Sequence, residues 1–476
     1  MRDLARTRPS DAFGEAGPVG AAKQCVELQG LDRGRATDTG VSLSFQDQLR
    51  ENLAPGPYFE ADKPDIALPA ELPVKLIAYY LPQFHPIREN DEWWGKGFTE
   101  WTNVTKAVPQ FEGHYQPHLP TALGFYDLRV AEVMQQQWDM AARHGVGGFC
   151  FHYYWFSGRR ILETPLNNLL ANPDINIPFC INWANENWTR TWDGSEREIL
   201  LAQSYTPADD LAFIESLVPL VQDPRYIRIG GRPLIMIYQP TLLPDIVSTV
   251  AIWRERFQAF GLPDPYLVMP QAFGVYDPRP LGFDAVAGFP PHRFMPEIRA
   301  NKVKTRAYND LFASEVLSYK QMAEVASALD PKDYTLFHGV CPAWDNTARR
   351  PHRGLMFVGS TPALYGDWLA SACSKVIENN TPDERIVFIN AWNEWAEGAH
   401  LEPDRHNGFA YLRETARVLN RVTDRQPSAT VHLLKPKGVG GGDLRERAET
   451  ARSLVHRTRN KLASGVERVA RILRPA

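Results

Sequence analysis

The chain has 476 residues, 44% hydrophobic, 23% charged and 11% aromatic, with 52 Lys+Arg against 56 Asp+Glu and a formal net charge of −4. That length suits one large α/β barrel or two ordinary domains, and the composition is that of a soluble globular protein. The near balance of charge gives no basis for nucleic-acid binding.

The five cysteines (Cys25, Cys150, Cys180, Cys341 and Cys373) form no CxxC pair and read as reduced, buried thiols. The segment Met1–Arg6 lacks an apolar leader core, and no run of about eighteen apolar residues occurs. The expectation is a cytoplasmic protein with neither a secretion signal nor a membrane span.

Residues 1–73 scatter Gly, Pro, Asp and Ser without sustained periodicity and read as an arm over the main body, with one short helix at 45–53. From residue 74 to 425, short apolar runs alternate with amphipathic segments, as in βαβ units around a parallel sheet. Strands are predicted at 74–80, 147–154, 178–183, 233–238, 266–270, 285–289, 336–340 and 386–390. Helices are predicted between them at 128–144, 207–221, 243–260, 315–329 and 363–378.

Eight strands with helical connections predict a (β/α)8 TIM-type barrel, with a long insert from Pro82 to Tyr126 on the first strand-to-helix loop. A doubly wound sheet would need a glycine-rich turn after the first strand, where Leu81-Pro82-Gln83-Phe84-His85-Pro86 stands instead.

From 426 to 476, Gly438-Val439-Gly440-Gly441-Gly442 reads as a linker, and apolar residues then recur at helical spacing among arginines. A basic amphipathic helix of this kind either packs on protein or lies on an anionic membrane surface, here the inner membrane.

Polar and aromatic clusters follow the strands at their C-terminal ends, the active face of such barrels. Tyr79, Tyr80 and His85 follow the first, and His152, Tyr153, Tyr154 and Trp155 the second. Asn182, Trp183, Asn185, Glu186, Asn187, Trp188 and Arg190 follow the third, and Gln271, His292, Trp344 and Asp345 later ones. Trp94, Glu100 and Trp101 sit on the long first loop.

The last cluster, Trp392-Asn393-Glu394-Trp395-Ala396-Glu397-Gly398, carries two carboxylates. On a strand they would face opposite ways, so they converge only if the chain turns near Trp395, which Gly398 favours. An i, i+3 pair then lies about 5–6 Å apart at Cβ, suited to work on one sugar carbon. Trp392, Asn393 and Trp395 set the pair apart from a solvated strand end.

No HExxH or closely spaced His/Cys/Asp set supports metal catalysis, no G-x-S-x-G supports a serine triad, and no Asp-x-Asp supports a metal-dependent sugar-nucleotide transferase. Glu394 and Glu397 are therefore the preferred pair. Glu186, Glu100, Asp345 and Asp193 are rivals, and Glu186 and Glu100 fit the orienting of asparagine or arginine as well as catalysis. No cofactor is called for.

Residues 75–86 and 93–101, with 151–156, 182–190 and 392–398, closely resemble the WbsX-type proteins across roughly residues 74–420. The resemblance implies a carbohydrate-active enzyme of lipopolysaccharide O-antigen or related polysaccharide assembly, similar also to glycoside hydrolase family 99 with its (β/α)8 fold. It implies that Glu394 acts on a sugar 2-hydroxyl, giving a 1,2-anhydro sugar, and that Glu397 is general acid, then base, at the glycosidic oxygen. The partners implied are a polysaccharide or lipid-linked oligosaccharide and, for transfer, a sugar nucleotide. A glycan-binding scaffold without turnover is the reading from another class.

Overall fold

Parallel strands buried on both faces need apolar runs, and the runs read from the sequence form the barrel. The strands are β1 (Lys75–Tyr80), β2 (Val146–Phe156), β3 (Phe179–Trp183), β4 (Arg232–Ile237) and β5 (Tyr266–Pro270), then β6 (Ala285–Ala287), β7 (Thr335–Phe337), β8 (Gly339–Val340) and β9 (Ile386–Ile389). They pair in parallel in the order β7-β6-β5-β4-β3-β2-β1-β9-β8. Because β7 and β8 are one run interrupted at His338, the two ends of that order meet and the barrel closes.

The closure depends on two glycines. A Cβ on Gly339 would collide with the Gly288 carbonyl, so only glycine lets the β6 end and β8 approach this closely.

The computed structural model describes residues 43–63, 66–190, 195–299 and 301–424. These belong to one compact unit; the unit from Pro427 onward, with the amphipathic helix expected there, lies outside the described residues. The helices that cover the barrel or extend it are α1 (Phe45–Asn52), α2 (Ala131–Arg143), α3 (Pro207–Ser216), α4 (Ile246–Ala259), α5 (Tyr319–Ser327), α6 (Pro362–Asn379) and α7 (Ala410–Asp424). Among the described residues, no helix is long and apolar enough to cross a membrane. Cys150, Cys180, Cys341 and Cys373 are buried free thiols.

Two elements differ from expectation. The single helix predicted at 207–221 is two, because Pro219, which has no N–H to donate, stands in the first turn of the second helix, Val218–Gln222. The first residues of the helix predicted at 315–329 are instead a strand, Glu315–Ser318, paired in parallel with Leu355–Val358. The helix starts after Ser318, whose hydroxyl caps the Gln321 N–H.

The α1 segment packs on the long first loop: Asn52 donates to the carbonyls of His114 and Gln116, and Gln48 accepts from the Gly113 N–H. That loop carries two short helices, Arg88–Trp94 and Glu100–Lys106, over the C-terminal face of the barrel.

Candidate active site

Beyond β9, Asn393–Glu394 pairs antiparallel with Ala399–His400, and Trp395–Glu397 forms one 3-10 turn between them. Gly398 ends the turn at φ 59°, and a Cβ there would stand 3.1 Å from the Asp345 backbone nitrogen. Asn393 holds the base of the hairpin to the end of β1, accepting from the Leu81 N–H and donating to its carbonyl. The expected departure from the strand at Trp395 is therefore present.

Glu394 and Glu397 converge on one guanidinium. Arg349 donates through Nη1 to Glu397 Oε1 at 2.5 Å and through Nη2 to Glu394 Oε2 at 3.1 Å. Its third partner is Glu100 Oε2, 3.2 Å from Nη2. Glu100 is fully enclosed and Glu394 nearly so, while Glu397 keeps about a fifth of its side chain exposed.

Three carboxylates around one buried cation cannot all ionise freely. Burial, then the charge of Glu397, pushes the Glu394 carboxyl well up, against the pull of Arg349. Burial also raises Glu397. Despite the desolvation that opposes it, Arg349 is held protonated by Glu100, Glu397 and Glu394.

The pair opens on a cavity of about 330 Å³. Its walls include the rings of Trp94, Trp188, Tyr154 and Trp344, with Glu186 and Asn187 among the lining residues. His152 Nε2 lies 3.6 Å from Glu394 Oε1, and His292 lines the same wall. Burial lowers both imidazoles to about 4, so both are neutral hydrogen-bonding groups at physiological pH.

The other residues singled out from the sequence lie elsewhere. On β2 the period-2 alternation sends Tyr153 and Trp155 outward, where they bond Ser216 and Asp209 of the α3 layer, while His152 and Tyr154 face the cavity. Tyr79 is sealed inside the barrel on Phe289 and Phe388, and Tyr80 points out to Gln137 of α2. Trp183 stacks on Phe213 of α3, and Asn182 lies 3.4 Å from the His152 ring nitrogen.

Asn185 ties its loop to Gln239, and Gln271 is buried beside Tyr334. His85, at the start of the first loop, is buried. Trp101 packs on Phe84, Tyr126 and Trp395, and Trp392 on Phe149. Asp345 bonds His114, Gln116 and Thr347 behind the turn, outside the cavity. Asp193 and the side chain of Arg190 lie outside the described residues.

Sequence reasoning missed Arg349, although it follows Trp344-Asp345 on a strand-end loop like the other candidates. It also missed Trp93 and Gln83 on the cavity wall. A further omission is Glu402, a buried carboxylate beneath the turn that accepts from Trp395 Nε1 at 2.6 Å, Gln137 Nε2 at 2.6 Å and the Tyr126 hydroxyl at 2.8 Å. Burial raises it to about 7.

The sequence model of the family described as glycosyltransferase WbsX matches residues 76–415, from the start of β1 into α7. The chain belongs to the WbsX glycosyltransferase family. The family match takes in both carboxylates of the hairpin, Arg349 and the whole cavity wall.

This WbsX chain is also similar to the uncharacterized protein WxcX of Xanthomonas campestris pv. campestris, at 47% identity over 359 residues, 75% of this chain and 51% of that protein. The WxcX of strain B100 is 46% identical over 358 residues. The chain thus spans about half the length of the curated relatives it matches. Among solved structures, an endo-alpha-mannosidase of glycoside hydrolase family 99 from Bacteroides thetaiotaomicron is similar with TM-score 0.45 and 16% identity, over 74% of this chain and 98% of that one. A glycoside hydrolase-like protein gives TM-score 0.46 and 14% identity, over 76% of this chain and 98% of that one.

Proposed function

We propose that this WbsX-family chain is a carbohydrate-active enzyme that makes or breaks a glycosidic bond in a cell-surface polysaccharide or its lipid-linked precursor, with Glu394 and Glu397 at the reacting centre. One observation carries the reading: two carboxyl groups bridged by a single buried guanidinium stand in the wall of a cavity otherwise rich in aromatic rings. Rings offer apolar faces to sugars, and paired carboxyls are the equipment of glycosidic chemistry.

Burial raises both carboxyls and the charge of Glu397 raises Glu394 further, so at rest the pair favours the proton on Glu394. The step proposed here uses the other arrangement of that coupled pair, with the proton on Glu397 and Glu394 ionised. In this reading Glu397 donates its proton to the glycosidic oxygen as the leaving group departs. Glu394 takes the proton of the 2-hydroxyl, whose oxygen closes on the anomeric carbon as the glycosidic bond breaks. Water or an acceptor hydroxyl then opens the three-membered ring, giving its proton to Glu397 while Glu394 returns its own to the 2-oxygen. Water yields hydrolysis; an acceptor sugar yields transfer.

The test is product analysis by mass spectrometry after incubation with the host's surface polysaccharide, in parallel with sugar nucleotides plus a short acceptor. Shortened or rearranged chains support the two-carboxyl mechanism. Growth that requires a sugar nucleotide keeps the enzyme class and replaces the mechanism. Chains that bind by calorimetry yet stay intact in both mixtures refute catalysis.

A further inference from the structure

Behind the catalytic turn lies a second cavity of about 220 Å³, lined in part by Tyr115, His118, His400, Asp404 and His406, with Trp344 shared between the two cavities. Three of these residues face one another. One ring nitrogen each of His118 and His400 and a carboxylate oxygen of Asp404 all lie within 4.8 Å of one another, and all three residues are buried. His118 Nδ1 is 2.8 Å from His400 Nε2, and Asp404 Oδ2 is 3.8 Å from the same Nε2.

The surroundings fix each donor. The His400 Nδ1–H donates to the Glu402 carbonyl at 2.9 Å, which leaves the Nε2 lone pair facing the cluster. The His400 ring is clamped by Trp395, stacked at 3.8 Å, and the His118 ring by Tyr115 at 4.1 Å. Asn407 holds both oxygens of Asp404, through its backbone N–H and its side-chain amide. Outer groups that lock tautomer and orientation in this way accompany metal-ligating histidine and carboxylate. The enclosed Tyr115 hydroxyl sits beside Asp404 without a well-formed hydrogen bond.

We propose that His118, His400 and Asp404 bind one divalent transition-metal ion of the zinc class, with a water in the fourth position for which the Tyr115 hydroxyl is a ready partner. Two imidazoles and one carboxylate suit zinc and its neighbours and are a poor set for calcium or magnesium, which take oxygen ligands. In the metal-free protein the His118 Nδ1 proton occupies the gap between the rings. On binding, that proton moves to Nε2, and ligand bonds of about 2.0–2.1 Å open the ring nitrogens to about 3.3 Å in tetrahedral geometry.

The ion's effect follows from where its ligands stand. His400 pairs across the hairpin with Asn393, next to Glu394, while His118 belongs to the long first loop. The metal therefore fastens that loop to the segment bearing the catalytic pair. It takes no part in the proposed glycosidic step, and its presence does not depend on that reading.

The test uses the full chain without a histidine tag, stripped with chelator and titrated with Zn²⁺ or Co²⁺. Metal per chain is measured after gel filtration, and the visible spectrum of the cobalt form is recorded. The proposal predicts one equivalent, the intense absorption of four-coordinate cobalt, and a rise in thermal midpoint with Zn²⁺ but not Mg²⁺. His118→Ala and His400→Ala lose the spectrum and at least tenfold in affinity; His406→Ala, in the same cavity, retains both. If either alanine variant unfolds, Asp404→Asn and the wild-type titration decide. Wild-type protein that retains less than a tenth of an equivalent, or variants that keep the cobalt spectrum, would overturn it.

Discussion

Replacing Arg349 by methionine leaves three buried carboxyl groups without their cation. Methionine is close in length, so the loss is of charge and hydrogen bonds more than of volume. In the wild type the guanidinium serves Glu397, Glu394 and Glu100 at 2.5, 3.1 and 3.2 Å, with 13% of its side chain exposed. Breaking a buried pair of this kind costs about 3–5 kcal/mol, because the partner charge is left uncompensated. With an unfolding entropy on the order of 0.8 kcal/mol/K for a unit of this size, the midpoint falls by ~4–6 °C.

The loss depends on pH, and its sign is determined. Arg349 lowers Glu394 and Glu397 against the burial that raises them, so its removal drives both further up. Carboxyls whose folded pKa exceeds the unfolded value bind extra protons in the folded state. Their contribution is full below the unfolded pKa of about 4.3 and declines as pH rises through the folded values. The midpoint difference between Arg349→Met and wild type should therefore be smallest near pH 4 and grow toward about pH 9, the Glu394 part setting in as pH passes its wild-type value of about 8. Scanning calorimetry across that range is the assay. A difference that is absent, or constant with pH, would refute the account of Arg349 as the counter-charge of the pair.

Glu402→Gln should flatten stability between about pH 4.3, the unfolded value, and pH 7, since wild-type Glu402 is raised to about 7 and loses its contribution as pH climbs through that window; denaturant titrations at several pH values measure it. Gly398→Ala forces φ 59° on a Cβ that meets Asp345, at a cost of at least 1–2 kcal/mol by a rough count. It should lower the melting midpoint and, by shifting Glu397, the turnover; an unchanged midpoint would count against the turn geometry. Trp188→Ala removes a ring from the cavity wall and should raise KM about tenfold with kcat nearly unchanged, as steady-state kinetics would show.

The barrel was legible because parallel strands buried on both faces must be apolar throughout, and runs such as 386–390 have few other uses. Glu315–Ser318 was not, because Val316 and Leu317 fit a helix face as well as a strand, and their strand partner, Leu355–Val358, is remote in sequence. The convergence of Glu394 and Glu397 was readable from their spacing and Gly398. The cavity wall was readable only in part: clusters such as His152-Tyr153-Tyr154-Trp155 mark the right strand end, but alternate residues belong to the helical layer. Arg349, beside Arg350, carries no local mark that separates it from a solvated arginine. The His118–His400–Asp404 cluster brings together residues 282 positions apart, a juxtaposition that no local spacing encodes.

The central claim is that Glu394 and Glu397 perform the chemistry. The most direct measurement compares wild type, Glu394→Gln and Glu397→Gln on the polysaccharide fragment identified by product analysis, following kcat and KM over pH. Glutamine keeps size and hydrogen bonding but neither gives nor takes the proton, so both variants should lose several orders of magnitude in kcat with KM little altered. The wild-type profile should keep its alkaline limb above the ordinary carboxylate range, as the raised pair requires. Turnover within tenfold of wild type in either variant would contradict the role given to that residue.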